Sequence, residues 1–177
     1  MKKITSILSI MALTAVFSTS ALAQQSSTAT STASTTIVAP IAISNVTPMA
    51  FGSFASGGAG KLVLSSAGLR TPSGGVKVTT VTGSPTAAEF TVSGQGSYAY
   101  TVTLPTTAYT LSTTATGTVQ TMDVDTFTSS LANGGGTLDA TTGKQNFTVG
   151  ATLNVKAAQV VGTYANTAGF NVTVNYN

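Results

Sequence analysis

The chain has 177 residues, of which only 6% are charged, and it contains no His and no Cys. These absences exclude His-assisted nucleophilic catalysis, zinc sites built from Cys and His, and disulfide bonds. A Ser–Lys or Ser–acid pair is the remaining catalytic option, and no local motif marks one. We therefore predict a protein that is not an enzyme and that has no catalytic residue, no cofactor and no metal.

The net charge of +3 does not indicate a nucleic-acid-binding protein. Lys2 and Lys3 supply two of the seven basic residues, and the other five are scattered and nearly balanced by four acids. Without a basic stripe, the chain has no surface suited to a phosphate backbone. So few charges also give little repulsion between copies, which suits a packed polymer.

The first 23 residues have the pattern of a secretion signal. Lys2 and Lys3 precede a mostly apolar stretch from Ile4 to Phe17, and Ala21-Leu22-Ala23 supplies a small-x-small cleavage site. We predict cleavage after Ala23 and a bacterial product that reaches the periplasm or the outside of the cell. No later run reaches the roughly 18–20 apolar residues that a spanning helix needs, so no membrane span is predicted after signal removal.

Residues 24–36, QQSSTATSTASTT, form an N-terminal arm in which nine of thirteen residues are Ser or Thr. Alone, this composition is typical of a flexible linker. With a partner, its β-branched threonines would also suit an extended strand.

From residue 37 onward the sequence predicts short strands. Ile37-Val38 and Ile41-Ala42-Ile43 are separated by Pro40, which lacks a ladder N–H. Apolar and polar residues alternate with a period of two, as in half-buried strands. The alternating runs include Phe90 with Val92, 98–104, 119–127, 147–155 and 170–176. Predicted turns are Ser73-Gly74-Gly75, Gly94-Gln95-Gly96, Asn133–Gly136 and Thr142-Gly143-Lys144. Residues 37–177 therefore read as one all-β domain, an antiparallel sandwich or barrel.

Two groups of side chains are candidates for chemistry. Asp123 and Asp125 lie two apart and share a strand face, which we interpret as solvated; the alternative is a calcium site shared with Asp139. Tyr98 and Tyr100 are predicted to face the core rather than to form a sugar-stacking surface, and Tyr109 stays undetermined.

Several segments resemble a bacterial secreted family known as domain of unknown function 4402. The resemblance covers about residues 35–177 and is carried by Thr35–Ser44 and the following Met49-Ala50-Phe51-Gly52-Ser53-Phe54. It continues in GTLDATTG (136–143), FTVGATL (147–153), Gly162-Thr163-Tyr164 and FNVTVNY (170–176). The early Phe-Gly, the late Gly-Thr-Tyr and the closing strand ending in Tyr are also similar, more distantly, to spore coat protein U-type subunits of archaic chaperone–usher pili. The cysteines common in those relatives are missing here, and Val161 stands where a proline often precedes the Gly-Thr-Tyr.

The pilin resemblance implies an immunoglobulin-like Greek-key sandwich that lacks one strand and is completed by the N-terminal arm of the next copy. The predicted donor residues are Thr28, Thr30, Thr32, Ser34, Thr36, Ile37 and Val38. The predicted closing strand, which would also border the acceptor groove, presents Phe170, Val172, Val174 and Tyr176. Only Ile37 and Val38 of the donor are large and apolar.

The expected function is a non-catalytic structural subunit of a surface fibre that forms a homo-polymer by strand addition. The same resemblance implies a periplasmic chaperone and an outer-membrane usher as assembly partners. The missing cysteines and Val161 depart from the pattern on which that implication rests. The alternative is a self-complete secreted sandwich that acts as an adhesin, a glycan-binding protein or a coat or matrix component. In that case residues 24–36 would be a linker.

Overall fold

The computed structural model describes residues 26–78, 83–117 and 120–177. The predicted signal, residues 1–23, lies outside these ranges. The chain divides into one unit that ends at Thr36 and a second from Ile37 to Asn177. In the first unit, residues 26–36 are exposed and form neither helix nor strand. Within the described ranges, no helix has the length and apolar character needed to cross a membrane.

The second unit is built from antiparallel strands, ten of which lie in the described residues. They are β1 (Ala42–Thr47), β2 (Phe54–Leu64), β3 (Arg70–Val78), β4 (Ala88–Ser93), β5 (Ala99–Thr103), β6 (Tyr109–Ser112), β7 (Thr121–Ser129), β8 (Gly135–Thr137), β9 (Lys144–Val155) and β10 (Thr173–Tyr176). Seven form one sheet and three, in the order β10-β5-β8, form another. The predicted all-β antiparallel sandwich is confirmed.

Strand β9 is the centre of the seven-stranded sheet. Its residues 144–149 pair with β4, residues 151–155 pair with β2, and residues 149–154 pair with β7. Because a strand residue pairs with two neighbours only across opposite edges, β4 and β2 follow one another along one edge and β7 occupies the other. Outer strands continue each side, with β1 on β4, β3 on β2 and β6 on β7.

Glycine at position 150 makes this shared edge possible. Gly150 lies where the β4 pairing ends and the β2 pairing begins, and the Ser65–Ser66 turn crosses over it. A Cβ at position 150 would lie only 2.6 Å from the backbone nitrogen of Ser66. Any side chain would therefore push the β2–β3 connection away from β9.

Two hydrophobic clusters hold the sandwich together. The first fills the space between the two sheets and consists of Ala88, Phe90, Val92, Tyr100, Leu138, Phe147, Val149 and Val174. The second lies on the other half of the large sheet and consists of Phe51, Leu62, Leu64, Val76, Met122, Val124, Ala151, Leu153 and Val155. No residue of β5, β8 or β10 belongs to the second cluster, so that half of the large sheet has no facing sheet among the described strands.

Several details of the strand prediction need correction. Ser73-Gly74-Gly75 is not a turn but lies inside β3, opposite Gly60 and Lys61 of β2. Glycine permits this because a Cβ on Gly75 would lie 2.6 Å from the backbone nitrogen of Gly58. The connecting turn is instead formed at Ser65–Leu69, where the Ser65 N–H donates to the Leu69 carbonyl at 2.9 Å.

Two other boundaries differ from the prediction. The alternating run predicted for 119–127 corresponds to β7, which spans Thr121–Ser129, and residue 119 lies outside the described part of the chain. The closing strand predicted for 170–176 begins only at Thr173, because Phe170 turns into an aromatic cluster instead of joining a ladder. The burial pattern confirms alternation in β5, whereas in β9 the pattern alternates only towards its ends, because residues 149–153 are all buried.

Candidate functional site: an uncharged cleft

An open cleft of about 970 Å³ lies against the half of the large sheet that lacks a facing sheet. Its floor is formed by Tyr109 and Leu111 of β6, Met122 and Val124 of β7, and Leu153 of β9. These are the inward-facing residues of their strands, since the alternating pattern turns Thr110, Asp123 and Asn154 to the opposite face. The cleft therefore lies against the second hydrophobic cluster: Met122, Val124 and Leu153 are buried, and Tyr109 and Leu111 are the half-buried residues of its floor.

The cleft carries no formal charge on the residues that line it. Of the described residues that line it, none is Asp, Glu, Lys or Arg, and the floor is entirely apolar apart from the Tyr109 hydroxyl. Such a surface favours an uncharged, extended or apolar occupant, because an ion brought into it would lose hydration without gaining a partner.

One wall of the cleft is the segment 48–53, which is held firmly in place. Ala50 and Thr86 exchange two backbone hydrogen bonds of 2.9 and 2.8 Å, and the Thr86 hydroxyl donates to the Pro48 carbonyl at 3.0 Å. Arg70 Nη1 donates to the carbonyl oxygens of Phe51 and Ser53 at 3.2 and 2.8 Å. Gly52 adopts a φ of 67°, which lets the wall turn sharply between those two carbonyls.

The opposite wall is a segment we call the strap, residues 159–169. The backbones of Ala165 and Ser112 exchange hydrogen bonds of 2.9 and 3.0 Å, so the strap lies along β6 at this point. Asn166 Nδ2 donates to the Thr110 carbonyl at 2.8 Å, and the Gly169 N–H donates to the Tyr109 hydroxyl at 3.1 Å.

A second set of hydrogen bonds holds the beginning of the strap. Gln159 Nε2 donates to the Thr121 carbonyl at 3.2 Å and to the Tyr164 hydroxyl at 2.9 Å. The Tyr164 hydroxyl donates in turn to the Val160 carbonyl at 2.7 Å. The Tyr164 ring packs on the second cluster, so it is the strap's main apolar contact with the sheet.

All four residues predicted for the closing strand pack on the first hydrophobic cluster, but they differ in their relation to the cleft. Phe170 lines the cleft and packs against the rings of Phe90, Tyr109 and Phe127 at centroid distances of 6.4, 6.0 and 4.9 Å. Val172 and Val174 contribute to the first cluster, between the sheets. The Tyr176 hydroxyl hydrogen-bonds the Gln95 N–H at 2.6 Å and donates to the Ala39 carbonyl at 2.9 Å. Only Phe170 therefore lies at the cleft.

Six of the seven predicted donor residues are exposed. Thr28, Thr30, Thr32, Ser34 and Thr36 lie in the exposed segment without strand structure, and Ile37 is 93% exposed. Val38 is partly buried. Pro40 stands two residues before the start of β1 at Ala42, so it separates the predicted donor from the first strand. The proposed use of these residues as a donor strand stays a prediction.

The acidic residues do not converge. The Asp123 carboxylate accepts from the Thr110 hydroxyl at 2.9 Å and lies 3.6 Å from Lys156 Nζ, whereas Asp125 accepts from Thr126. Asp139 instead accepts from Thr142 N–H, the Thr142 hydroxyl and Thr141 N–H at 2.7, 2.9 and 3.1 Å. These bonds, Thr142 first, lower the pKa of the Asp139 carboxyl below its usual value. Across the described residues, no group of three or more acidic side chains is placed to hold a metal ion.

The tyrosines are divided between core and surface. Tyr100 is buried as predicted, its hydroxyl donates to Gln145 Oε1 at 2.8 Å, and burial raises its pKa. The prediction for Tyr98 is wrong, because Tyr98 precedes β5 and is 42% exposed, with its ring against Tyr176. Tyr109, which the sequence left undetermined, lies in the cleft floor.

The fold and the cleft define an antiparallel β-sandwich protein in which, among the described strands, a three-stranded sheet faces part of a seven-stranded one. The chain belongs to the family described as Domain of unknown function (DUF4402), whose sequence model matches residues 41–176. The match begins immediately after Pro40, so residues 24–40 lie outside it. No curated protein and no solved structure matches the chain.

Two motifs on which the family resemblance rests meet at the cleft. Met49–Phe54 forms the first wall, and Gly162-Thr163-Tyr164 lies in the strap opposite it. Both motifs are visible in the sequence, but their proximity in the fold is not, because the two segments are more than a hundred residues apart in the chain.

Proposed function

We propose that this protein is a non-catalytic structural subunit of a bacterial surface fibre, in which the N-terminal arm of one copy adds as an extended strand to the cleft of the next. The observation that carries the proposal is the open, uncharged cleft on the half of the large sheet that no other sheet faces among the described strands. An extended segment placed there would pack against Tyr109 and Leu111, the half-buried residues of the floor, and would gain main-chain hydrogen bonds by pairing with the edge of β6.

The composition of the arm supports it as the occupant. Residues 24–38 contain no charged side chain, and the described residues that line the cleft contain none either. A neutral arm therefore enters without desolvating an ion. Its alternate threonines suit the backbone of an added strand.

The length of the arm also fits. The eleven residues 28–38 span about 36 Å when extended at roughly 3.3 Å per residue. Strand β6, whose outer edge the arm would join, has four residues and so measures about 13 Å. One arm is therefore long enough to pair along the whole of β6.

The arm offers limited apolar contact. Ile37 and Val38 would each contribute about 1.5–3 kcal/mol when buried, whereas Ser, Thr and Ala contribute much less. Most of the affinity must then come from backbone pairing. We expect single contacts to be weak and assembly to depend on local concentration, as a chaperone and an usher would provide in the periplasm.

The alternative is a self-complete secreted sandwich that serves as an adhesin, glycan-binding protein or coat component. The first hydrophobic cluster favours it, because that cluster is already closed by residues of both sheets. In this alternative the cleft would remain open in the functional protein, and the arm would only tether the domain.

Electron microscopy of two purified proteins tests the proposal. Residues 24–177 and residues 39–177 are compared under periplasm-like conditions, with and without co-expressed assembly partners. Fibres formed by the first protein and not by the second support strand addition. Monomers from both proteins under every condition would contradict it and favour the self-complete sandwich.

A further inference from the structure

The strap lies where an incoming strand would pair. In the described part of the large sheet, β6 pairs with β7 along one edge, and its other edge faces the strap. The backbone of Ala165 hydrogen-bonds both the N–H and the C=O of Ser112, and the Asn166 side chain donates to the carbonyl of Thr110. These backbone groups of β6 border the cleft. A segment that enters the cleft and adds to β6 must therefore compete with the strap.

The strap is more exposed and less regularly paired than the strands beneath it. Val161 is 95% exposed, and Gly162, Thr163 and residues 165–169 are also exposed. Its ladder contact with the sheet is a single bridge, between Ser112 and Ala165. In contrast, β9 is paired along both edges and its inward side chains are buried. Local opening is easiest where buried contacts and hydrogen bonds are fewest.

Both ends of the strap carry left-handed backbone. Ala158 has a φ of 56° and Gly169 a φ of 71°, which turns the chain sharply on either side of the strap. Beyond these turns the chain is anchored, on one side by β9 and on the other by Phe170 among the rings of Phe90, Tyr109 and Phe127. The strap can therefore leave β6 without disturbing either anchor.

We propose that the strap is a displaceable edge segment that covers β6 in the free subunit and is released when the arm of a second copy pairs with β6. This inference rests on the proposed function of the cleft as the acceptor of that arm. It adds a regulatory step, since a subunit whose strap stays on β6 cannot accept its neighbour.

A disulfide lock provides the test, because the chain has no cysteine of its own. Ser112 and Ala165 exchange both backbone hydrogen bonds, and such antiparallel pairs have Cα atoms about 5.5 Å apart, within the range a disulfide spans. Both side chains are exposed. The double variant S112C/A165C, made in the mature chain, should therefore close when oxidised. The matched control is T103C/T173C, an exposed pair across β5 and β10, away from the cleft.

Two measurements are made on these proteins. The first is amide hydrogen exchange of the unmodified mature chain, in which we expect Ala165 to exchange at least about 100-fold faster than the amides of β9. The second is fibre assembly of both double variants, oxidised and reduced. We expect the oxidised lock to abolish assembly, the reductant to restore it, and the control pair to assemble in both states.

Each result is decisive in a different way. The strap inference is overturned if the Ala165 amide is protected from exchange as strongly as the amides of β9. It is also overturned if the oxidised S112C/A165C protein assembles as fast as the reduced one, and in that case the fibre proposal stands. If neither the unmodified mature chain nor any variant assembles in either redox state, with or without co-expressed assembly partners, both proposals are overturned.

Discussion

Arg70 Nη1 donates to the carbonyl oxygen of Ser53 at 2.8 Å and so joins strand β3 to the wall of the cleft. The same nitrogen reaches the Phe51 carbonyl at 3.2 Å, so one guanidinium spans the turn at Gly52. The wall that carries the Met49–Phe54 motif thus depends on a charge-assisted contact from a distant strand.

Replacement of Arg70 by alanine should loosen this wall. Two carbonyls lose a charged donor, and because the site is partly exposed we expect the free energy of unfolding to fall by about 1–3 kcal/mol. Urea denaturation measures the change. Lys77→Ala is the matched control, since Lys77 lies on the same strand with an exposed side chain. Equal stability of the two variants would show that the Arg70 contacts do not hold the wall.

Substitution of Gly150 by alanine should destabilise the large sheet. The added Cβ meets the backbone of the Ser65–Ser66 turn, and overpacking of this kind costs about 1–3 kcal/mol. Gly58→Ala is the control, because a Cβ there has no neighbour within 4 Å. Thermal unfolding should show a lower Tm for G150A and little change for G58A. A G150A protein as stable as wild type would contradict the described junction of β2, β4 and β9.

The Asp139 carboxylate accepts three hydrogen bonds from Thr141 and Thr142, so the free energy of unfolding should depend on pH. The pKa of the folded Asp139 carboxyl lies below its usual value of 3.8, because the ionised form accepts from Thr142 and Thr141. Its contribution is therefore present in full above the unfolded pKa and is lost as the pH falls through the folded pKa. We expect D139N to have a lower urea midpoint than wild type at pH 7, with a difference that shrinks towards pH 2. A difference that stays constant with pH would mean that the charge is irrelevant.

A charge in the arm should block assembly without affecting the fold. Ile37 is 93% exposed, so Ile37→Asp should change the free energy of unfolding by less than about 0.5 kcal/mol. In an uncharged cleft the carboxylate would lose its hydration unpaired, and we expect assembly to slow at least about 10-fold. Leu69→Asp is the control, since Leu69 is 70% exposed and lies outside the cleft. Light scattering follows both variants, and equal rates would argue against entry of Ile37.

The strand pattern was predictable where apolar residues alternate. The run in β5 and the ends of β9 follow the period-two pattern, and Tyr100, Phe147 and Leu153 are buried as that pattern requires, although residues 149–153 are buried without interruption. Strands β2 and β3 were not predicted, because glycines are typical of turns. In these two strands the glycines instead allow the two backbones to approach closely. Phe170 appeared to belong to the closing strand, since a ring can satisfy the alternation without its backbone joining a ladder.

The cleft was not predictable from the sequence. Its floor comes from β6, β7 and β9, and its walls come from 48–53 and the strap, so no local pattern describes it. The available signals were two family motifs and an unusually low number of charges. They indicated a packed, secreted protein but not where an uncharged surface would lie.

Photochemical cross-linking from the arm tests the central claim most directly. A benzophenone side chain replaces Thr36 in ¹⁵N-labelled mature protein, which is mixed with unlabelled wild-type protein before assembly and irradiation. Mass spectrometry then identifies the linked peptides and, from the isotope, whether they come from one copy or two. Strand addition predicts links from the labelled arm to unlabelled peptides that contain residues 49–56, 109–111, 122–124 or 159–166. Links confined to the labelled chain itself, or to surfaces outside the cleft, would contradict the account.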